Sequence, residues 1–155
     1  MYHRNTRRRP YRPFGYYFVT TNVSQNLALL DSEIYAHLLE HILHLSAKLH
    51  HVKVIAYKIN PDHVHLICQL GAKGTISQYM GSWKRQFSRQ ADQLLMYDLV
   101  DAPKFKWQAS YHSHLITCLR DFNTHVKYIE YQYCHHNLSE NKFLFVDSNP
   151  VFDYK

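Results

Sequence analysis

Cysteine is scarce in this chain of 155 residues: Cys68, Cys118 and Cys134 stand far apart and form no CxxC pair. That argues against a zinc knuckle and a disulfide framework, and it fits a reduced, intracellular protein. Long apolar runs are missing too. No stretch approaches the ~18 to 20 apolar residues of a membrane helix, and the basic N-terminus has no apolar core behind it of the kind a signal peptide carries. The expectation is a cytoplasmic protein with no membrane partner. Acidic residues are the minority charge, 12 Asp and Glu against 18 Lys and Arg, leaving a net charge of +6 at pH 7. A balance of this sign favours a polyanionic partner. Internal repeats and visible domain breaks are absent. What the chain does hold is apolar and aromatic material, 46% and 15% of its residues. That is enough to build the core of one folded domain over 1–155, with a basic arm at 1–15 and a tail at 138–155.

Hydrophobic patterning sets the order of elements. Residues 16–23 are aromatic and β-branched, the composition of a central strand. Asp31 or Ser32 can cap a helix running to about Leu49, with Ile34, Leu38, Leu39, Ile42, Leu43 and Leu45 as its apolar stripe. A strand over 52–59 turns at Asn60-Pro61 into another over 63–70, a hairpin signal. After the loop at 71–74, Thr75 or Ser77 starts a second helix through about Leu95. Phe105-Lys106-Trp107-Gln108 precedes a strand over 111–117, and a last helix runs from Arg120-Asp121 to about His136. Phe143-Leu144-Phe145-Val146 reads as a small extra strand or as a segment packing across a partner subunit. This order suits an α+β fold, an antiparallel sheet with packed helices of ferredoxin-like type.

In Pro61-Asp62-His63-Val64-His65-Leu66-Ile67-Cys68 two histidines flank one valine. Side chains alternate along an extended segment, so His63 and His65 project from one face while Val64 packs on the other. Two imidazoles so placed can hold a metal ion. The bland reading stands beside it: with 13 histidines in the chain a His-x-His pair arises by chance, and His112-Ser113-His114 is a second one. His37, His41 and His44 share a helix edge with neither carboxylate nor cysteine to complete a site, and a solvent-flanking role explains them.

The Pro-Asp-His-Val-His-Leu-Ile motif resembles the His-hydrophobic-His signature of the HUH single-strand DNA transposases, particularly the REP-associated tyrosine transposases and their small insertion-sequence relatives. Tyr17 to Val23, Lys106-Trp107-Gln108, His114-Leu115-Ile116 and Val126-Lys127-Tyr128-Ile129 follow in that family's order, so the resemblance spans most of the chain. It implies an HUH nuclease fold. It also implies a DNA transposase that cleaves and rejoins single-stranded DNA through a covalent 5′-phosphotyrosine, with Mg²⁺ or Mn²⁺ as cofactor. By the same resemblance Tyr128 is the nucleophile, and His63, His65 and Gln132 are the metal ligands. Tyr128 and Gln132, four residues apart, share a face of a helix. This Tyr-x-x-x-Gln arrangement resembles the insertion-sequence branch, whose members are dimers, and implies a homodimer. The REP-associated branch usually has Asn-Pro where this chain has Gln132-Tyr133, so the chain stands between the two. Tyr131 is the substitute nucleophile if the register slips.

The chemistry is coherent: a tyrosine ester of phosphate is close in energy to a phosphodiester, so the strand can be rejoined. Nucleic-acid contacts are expected from Arg7, Arg8, Arg9 and Arg12 in the arm, with Tyr2 and Tyr11 between them, and from Lys84, Arg85 and Arg89 on the second helix. Each of these reads equally as a solvated surface. Trp107 suits base stacking or a structural strand end, and His114 could order DNA, brace the sheet or approach the metal. The preferred DNA is single-stranded and beside a hairpin. The competing functions are a non-catalytic single-strand-binding module and a metal-dependent nuclease that uses water.

Overall fold

The computed structural model describes residues 11–97, 104–136, 141–147 and 152–153. Arg7, Arg8 and Arg9 lie outside the described residues. The elements are β1 (Tyr16–Asn22), α1 (Glu33–Leu49), β2 (Lys53–Ile59), β3 (His63–Gln69), α2 (Ile76–Tyr97), β4 (His112–Ile116), α3 (Leu119–Glu130), α4 (Gln132–His135) and β5 (Leu144–Val146), with 3-10 turns at Ser24–Asn26 and Leu29–Asp31. The strands form one sheet in the order β4-β1-β3-β2-β5, and every pairing is antiparallel. The first four strands have the ferredoxin-like order expected from the sequence. The Phe143–Val146 segment supplies the fifth as an edge strand on β2, which settles it as the small extra strand.

The sheet divides two cores. On one face α1 and α2 cover Tyr17, Val19, Val64, Leu66 and Cys68, with Trp83, Tyr79 and Phe87 fully buried. Each such side chain contributes roughly 1.5 to 3 kcal/mol by leaving water. On the other face α3 covers Tyr16, Phe18, Ile67 and Ile116 with Phe122, Val126 and Ile129. Strict alternation along β3 therefore sends Val64, Leu66 and Cys68 to the larger core and His63, His65 and Ile67 towards α3. A register shift between Val54 and Ala56 inserts one extra residue into β2, so Ile55 and Ala56 both join the α3 side while Tyr57 and Ile59 return to the other.

Local chemistry sets the helix ends. Thr75 and Gln78 form a reciprocal capping box at the start of α2: Gln78 N donates to Thr75 Oγ1 at 3.1 Å and Thr75 N to Gln78 Oε1 at 2.9 Å. At α1 the N-cap is Ser32, whose side chain makes no capping bond. The expected α1 stripe needs correction, since Ile34 is 68% exposed and Leu45 also faces solvent. The buried row is Ala36, Leu39, Ile42, Leu43, Ser46 and Ala47, because small residues let α1 approach its neighbours closely. The last helix is not continuous to His136 either. It breaks at Tyr131, where α3 ends and the single turn of α4 begins.

Candidate metal centre and nucleophile

The centre lies where β3, the turn before it and the α3–α4 junction meet. His65 is pinned from β1: Thr20 pairs with it across the sheet, and Thr20 Oγ1 lies 2.8 Å from His65 Nδ1. Asp62 Oδ1 is 2.6 Å from His63 Nδ1. A carboxylate on one ring nitrogen fixes the tautomer and leaves the other, Nε2, as a lone pair for a metal. His136, carried in by α4, completes a set in which one ligand atom each from His63, His65 and His136 lies within 4.8 Å of the others. The spacing of His-x-His gave two members of this set. The third is invisible to spacing because it sits beyond a helix break; the signal was His135-His136, three and four residues after Gln132.

Electrostatics and hydrogen bonding support a cation here. Burial, then the neighbouring His63 and His136, push the His65 pKa down to about 3, against a weak upward pull from the Gln132 carboxamide. Burial and His63 also lower the His136 pKa. A neutral imidazole is a ligand with no proton to lose. His65 Nε2 is buried and has no hydrogen-bond partner among the described residues, as has Asn60 Oδ1. An orphaned buried lone pair costs about 1 to 3 kcal/mol, and a bound cation removes that cost. The donor set therefore fits a divalent metal.

Gln132 is fully buried and lies inside the centre rather than beside it. Its Oε1 is 3.0 Å from His136 Nε2 and accepts from Asn60 Nδ2 at 3.5 Å, while its Nε2 donates to the Tyr128 carbonyl at 3.2 Å. Asn60 Nδ2 also lies 3.1 Å from His63 Nε2. Asn60 is thus a member of the site that sequence reasoning passed over as a turn residue.

Tyr128 is 41% exposed, with its ring edge-on to His65 at 5.3 Å between centroids and to Phe18 at 5.9 Å. Tyr131 is more exposed still, at 60%. Lys58, the cross-strand partner of His65 on β2, is buried at 1% exposure; its ammonium donates to the Lys142 carbonyl, and burial lowers its pKa.

The other expected contacts fall elsewhere. Lys84, Arg85, Arg89 and Trp107 line one groove of about 760 Å³ between α2 and residues 105–111, on the sheet face opposite α3. The Lys84 ammonium lies over the Trp107 and Tyr111 rings at 5.9 and 5.8 Å. Trp107 packs against Trp83 and Phe105, the structural role foreseen for it, and also forms a wall of the groove. Arg12 lines a separate, smaller cavity with Phe14, Tyr16 and Gln69. His114 does not approach the centre; it pairs with Asp121 at 2.6 Å. Among the described residues His37, His41 and His44 form no metal-binding group, and His37 instead pairs with Glu40. No described helix is long and apolar enough to cross a membrane.

Comparison with known proteins completes the picture. No curated protein matches the chain. Its fold is similar to that of a REP-associated tyrosine transposase solved bound to a REP hairpin, with a TM-score of 0.70 and 23% identity over 84% of this chain and 73% of that one. It is also similar to a candidate transposase of Deinococcus radiodurans R1, with a TM-score of 0.58 and 19% identity over 85% of this chain and 97% of that one. At these identities the likeness is one of fold. The profile of the IS200-like transposases, in contrast, matches residues 15–132 in sequence, a span that holds His63, His65, Tyr128 and Gln132 and stops short of His136, and the chain belongs to that family.

Proposed function

We propose that this transposase cleaves and rejoins single-stranded DNA, with Tyr128 as nucleophile and His63, His65 and His136 as metal ligands, assisted by Gln132. The observation that carries the reading is the exposed Tyr128 ring edge-on to a buried, neutral His65. A divalent cation held there would polarise a non-bridging phosphate oxygen and orient the scissile bond. The Tyr128 hydroxyl oxygen bonds to phosphorus as the bond to the 3′-oxygen breaks; the tyrosine loses one proton and the departing 3′-hydroxyl gains one. The product is a 5′-phosphotyrosine and a free 3′-end, and a second 3′-hydroxyl reverses the step to join strands.

Three imidazoles and an amide make a donor set softer than Mg²⁺ prefers, so Mn²⁺ or a neighbouring first-row ion is the fitting occupant. Gln132, bonded to the Tyr128 carbonyl and facing His136, ties the nucleophile's helix to the ligand set. The groove lined by Lys84, Arg85, Arg89 and Trp107 holds flanking DNA through phosphate contacts and stacking. A hairpin beside the cleaved strand suits the substrate, in keeping with the hairpin bound by the similar REP-associated protein. The Tyr128 ring lies 5.3 Å from the His65 ring of its own chain, which supports attack within one chain; a homodimer, as the insertion-sequence resemblance implies, is compatible with the same centre.

The test uses end-labelled single-stranded DNA with and without a hairpin, a duplex control, and Mn²⁺ or EDTA, followed by a denaturing gel. Metal-dependent transfer of label to the protein, lost in Tyr128→Phe, is the expected result. Cleavage that persists in Tyr128→Phe would assign the attack to water or to another side chain. Salt-sensitive binding with no cleavage on any hairpin substrate would favour a binding module.

A further inference from the structure

A second convergence of ligands lies on the α3 side of the sheet, outside the centre described above. His114 comes from β4, and Asp121 and His125 come from the first turns of α3. One ligand atom from each lies within 4.8 Å of the other two. The Asp121 carboxylate bridges the imidazoles, with Oδ2 2.6 Å from His114 Nε2 and Oδ1 3.0 Å from His125 Nδ1. The rings stack at 5.0 Å and 27°. All three side chains are partly exposed, so an ion can reach them from solvent. β1 separates this cluster from β3, and its Phe18 packs on both His125, at 4.5 Å, and His65, at 5.5 Å.

Hydrogen bonding alone explains a clamp between β4 and α3. The donor set does more than a clamp requires. Asp121 and His125 stand four residues apart on one helix face, and His114 meets them from the strand, so two imidazole nitrogens and a carboxylate already converge. Neutral imidazoles bind a cation once the proton on the facing nitrogen moves to the other ring nitrogen, which leaves the net charge of the ring unchanged. His125 Nδ1 also lies 2.9 Å from the Asp121 carbonyl, which places a further oxygen at the site. We propose that His114, Asp121 and His125 form a second cation site that takes a borderline first-row dication, Zn²⁺ or Co²⁺ in class, in preference to Mg²⁺. An ion there cross-links β4 to α3 one helical turn before Tyr128 and so fixes the helix that carries the nucleophile. The proposal does not rest on the first centre, and the two fail separately.

Co²⁺ titration followed by visible absorption, with bound metal counted by dialysis, tests it. Two equivalents are expected for the unmodified protein, one for the variant His63→Ala, His65→Ala, His136→Ala, and one for His114→Ala, His125→Ala. A second measurement leaves the cluster untouched: Zn²⁺ should raise the melting temperature of the variant lacking the first three histidines. If that variant takes up no Co²⁺ and its melting temperature does not respond to Zn²⁺, the second site does not exist. Two equivalents retained by His114→Ala, His125→Ala would overturn it as well. A single equivalent lost only with the first three histidines would leave the cluster a hydrogen-bonded clamp and the first centre intact.

Discussion

His65 is held neutral by its surroundings, and this determines how the metal-free protein responds to acid. In the folded chain protonation waits until about pH 3, whereas in the unfolded chain it occurs near 6.5. Between those values the unfolded state binds the extra proton, so the stabilisation present above pH 6.5 is lost as pH falls, at most about 1.4 kcal/mol for each unit. Urea denaturation in EDTA at pH 7, 6 and 5 should show this slope, and His65→Gln should flatten it; an unchanged slope would assign the effect to other histidines. Asn60 gives a prediction of opposite character. Its amide occupies the His63 lone pair while its own oxygen is buried without a partner. Asn60→Leu should therefore cost the metal-free protein about 1 to 3 kcal/mol, by leaving His63 Nε2 without its partner, and bind Mn²⁺ up to about tenfold tighter, as calorimetry would show. Tenfold weaker binding would make Asn60 a ligand instead. At this scale motif and resemblance single out His63, His65, Tyr128 and Gln132, which the structure brings together. It hid Asn60, whose part depends on a side chain folding back from the hairpin turn onto its own strand.

Among the elements, the break at Tyr131 matters most. A straight helix would continue Tyr128's face past Gln132 in steps of about 100° per residue, and the apolar pattern reads as though it did. In the folded chain α4 restarts at Gln132 and delivers both Gln132 and His136 to the hairpin. Inserting one alanine between Glu130 and Tyr131 should swing both away while leaving Tyr128 on α3. Mn²⁺ affinity should then drop at least tenfold, by analogy with lost supporting partners, with helical circular dichroism unchanged. Unaltered affinity would show that α4 contributes no ligand. Strands and helix starts were legible because alternation and caps are local signals. The break was not, because it depends on where Gln132 finds room against β3.

For the whole molecule, the two faces of the sheet carry different features. The α1–α2 face carries most of the buried core and the basic groove; the α3 face carries both histidine clusters. Replacing Lys84, Arg85 and Arg89 with alanine should weaken binding to all single strands and reduce the slope of log affinity against log salt by as much as about 2. Fluorescence anisotropy across a salt series measures it, and an unchanged slope would place the DNA elsewhere. The order of strands and helices carried the ferredoxin-like topology, since short connections leave few alternatives. The groove could not be read in advance: it needs residues 105–111 laid against α2, a contact far apart in sequence.

The three thiols turn out to be arranged for spectroscopy. Cys68 is buried, and burial pushes its pKa up to about 12, so it stays inert to maleimides at neutral pH. Cys118 and Cys134 are exposed, one at the N-cap of α3 and the other within α4. The native chain therefore accepts two probes that bracket the tyrosine helix, and pulsed dipolar or energy-transfer distances between them would report directly on that helix as metal and DNA are added.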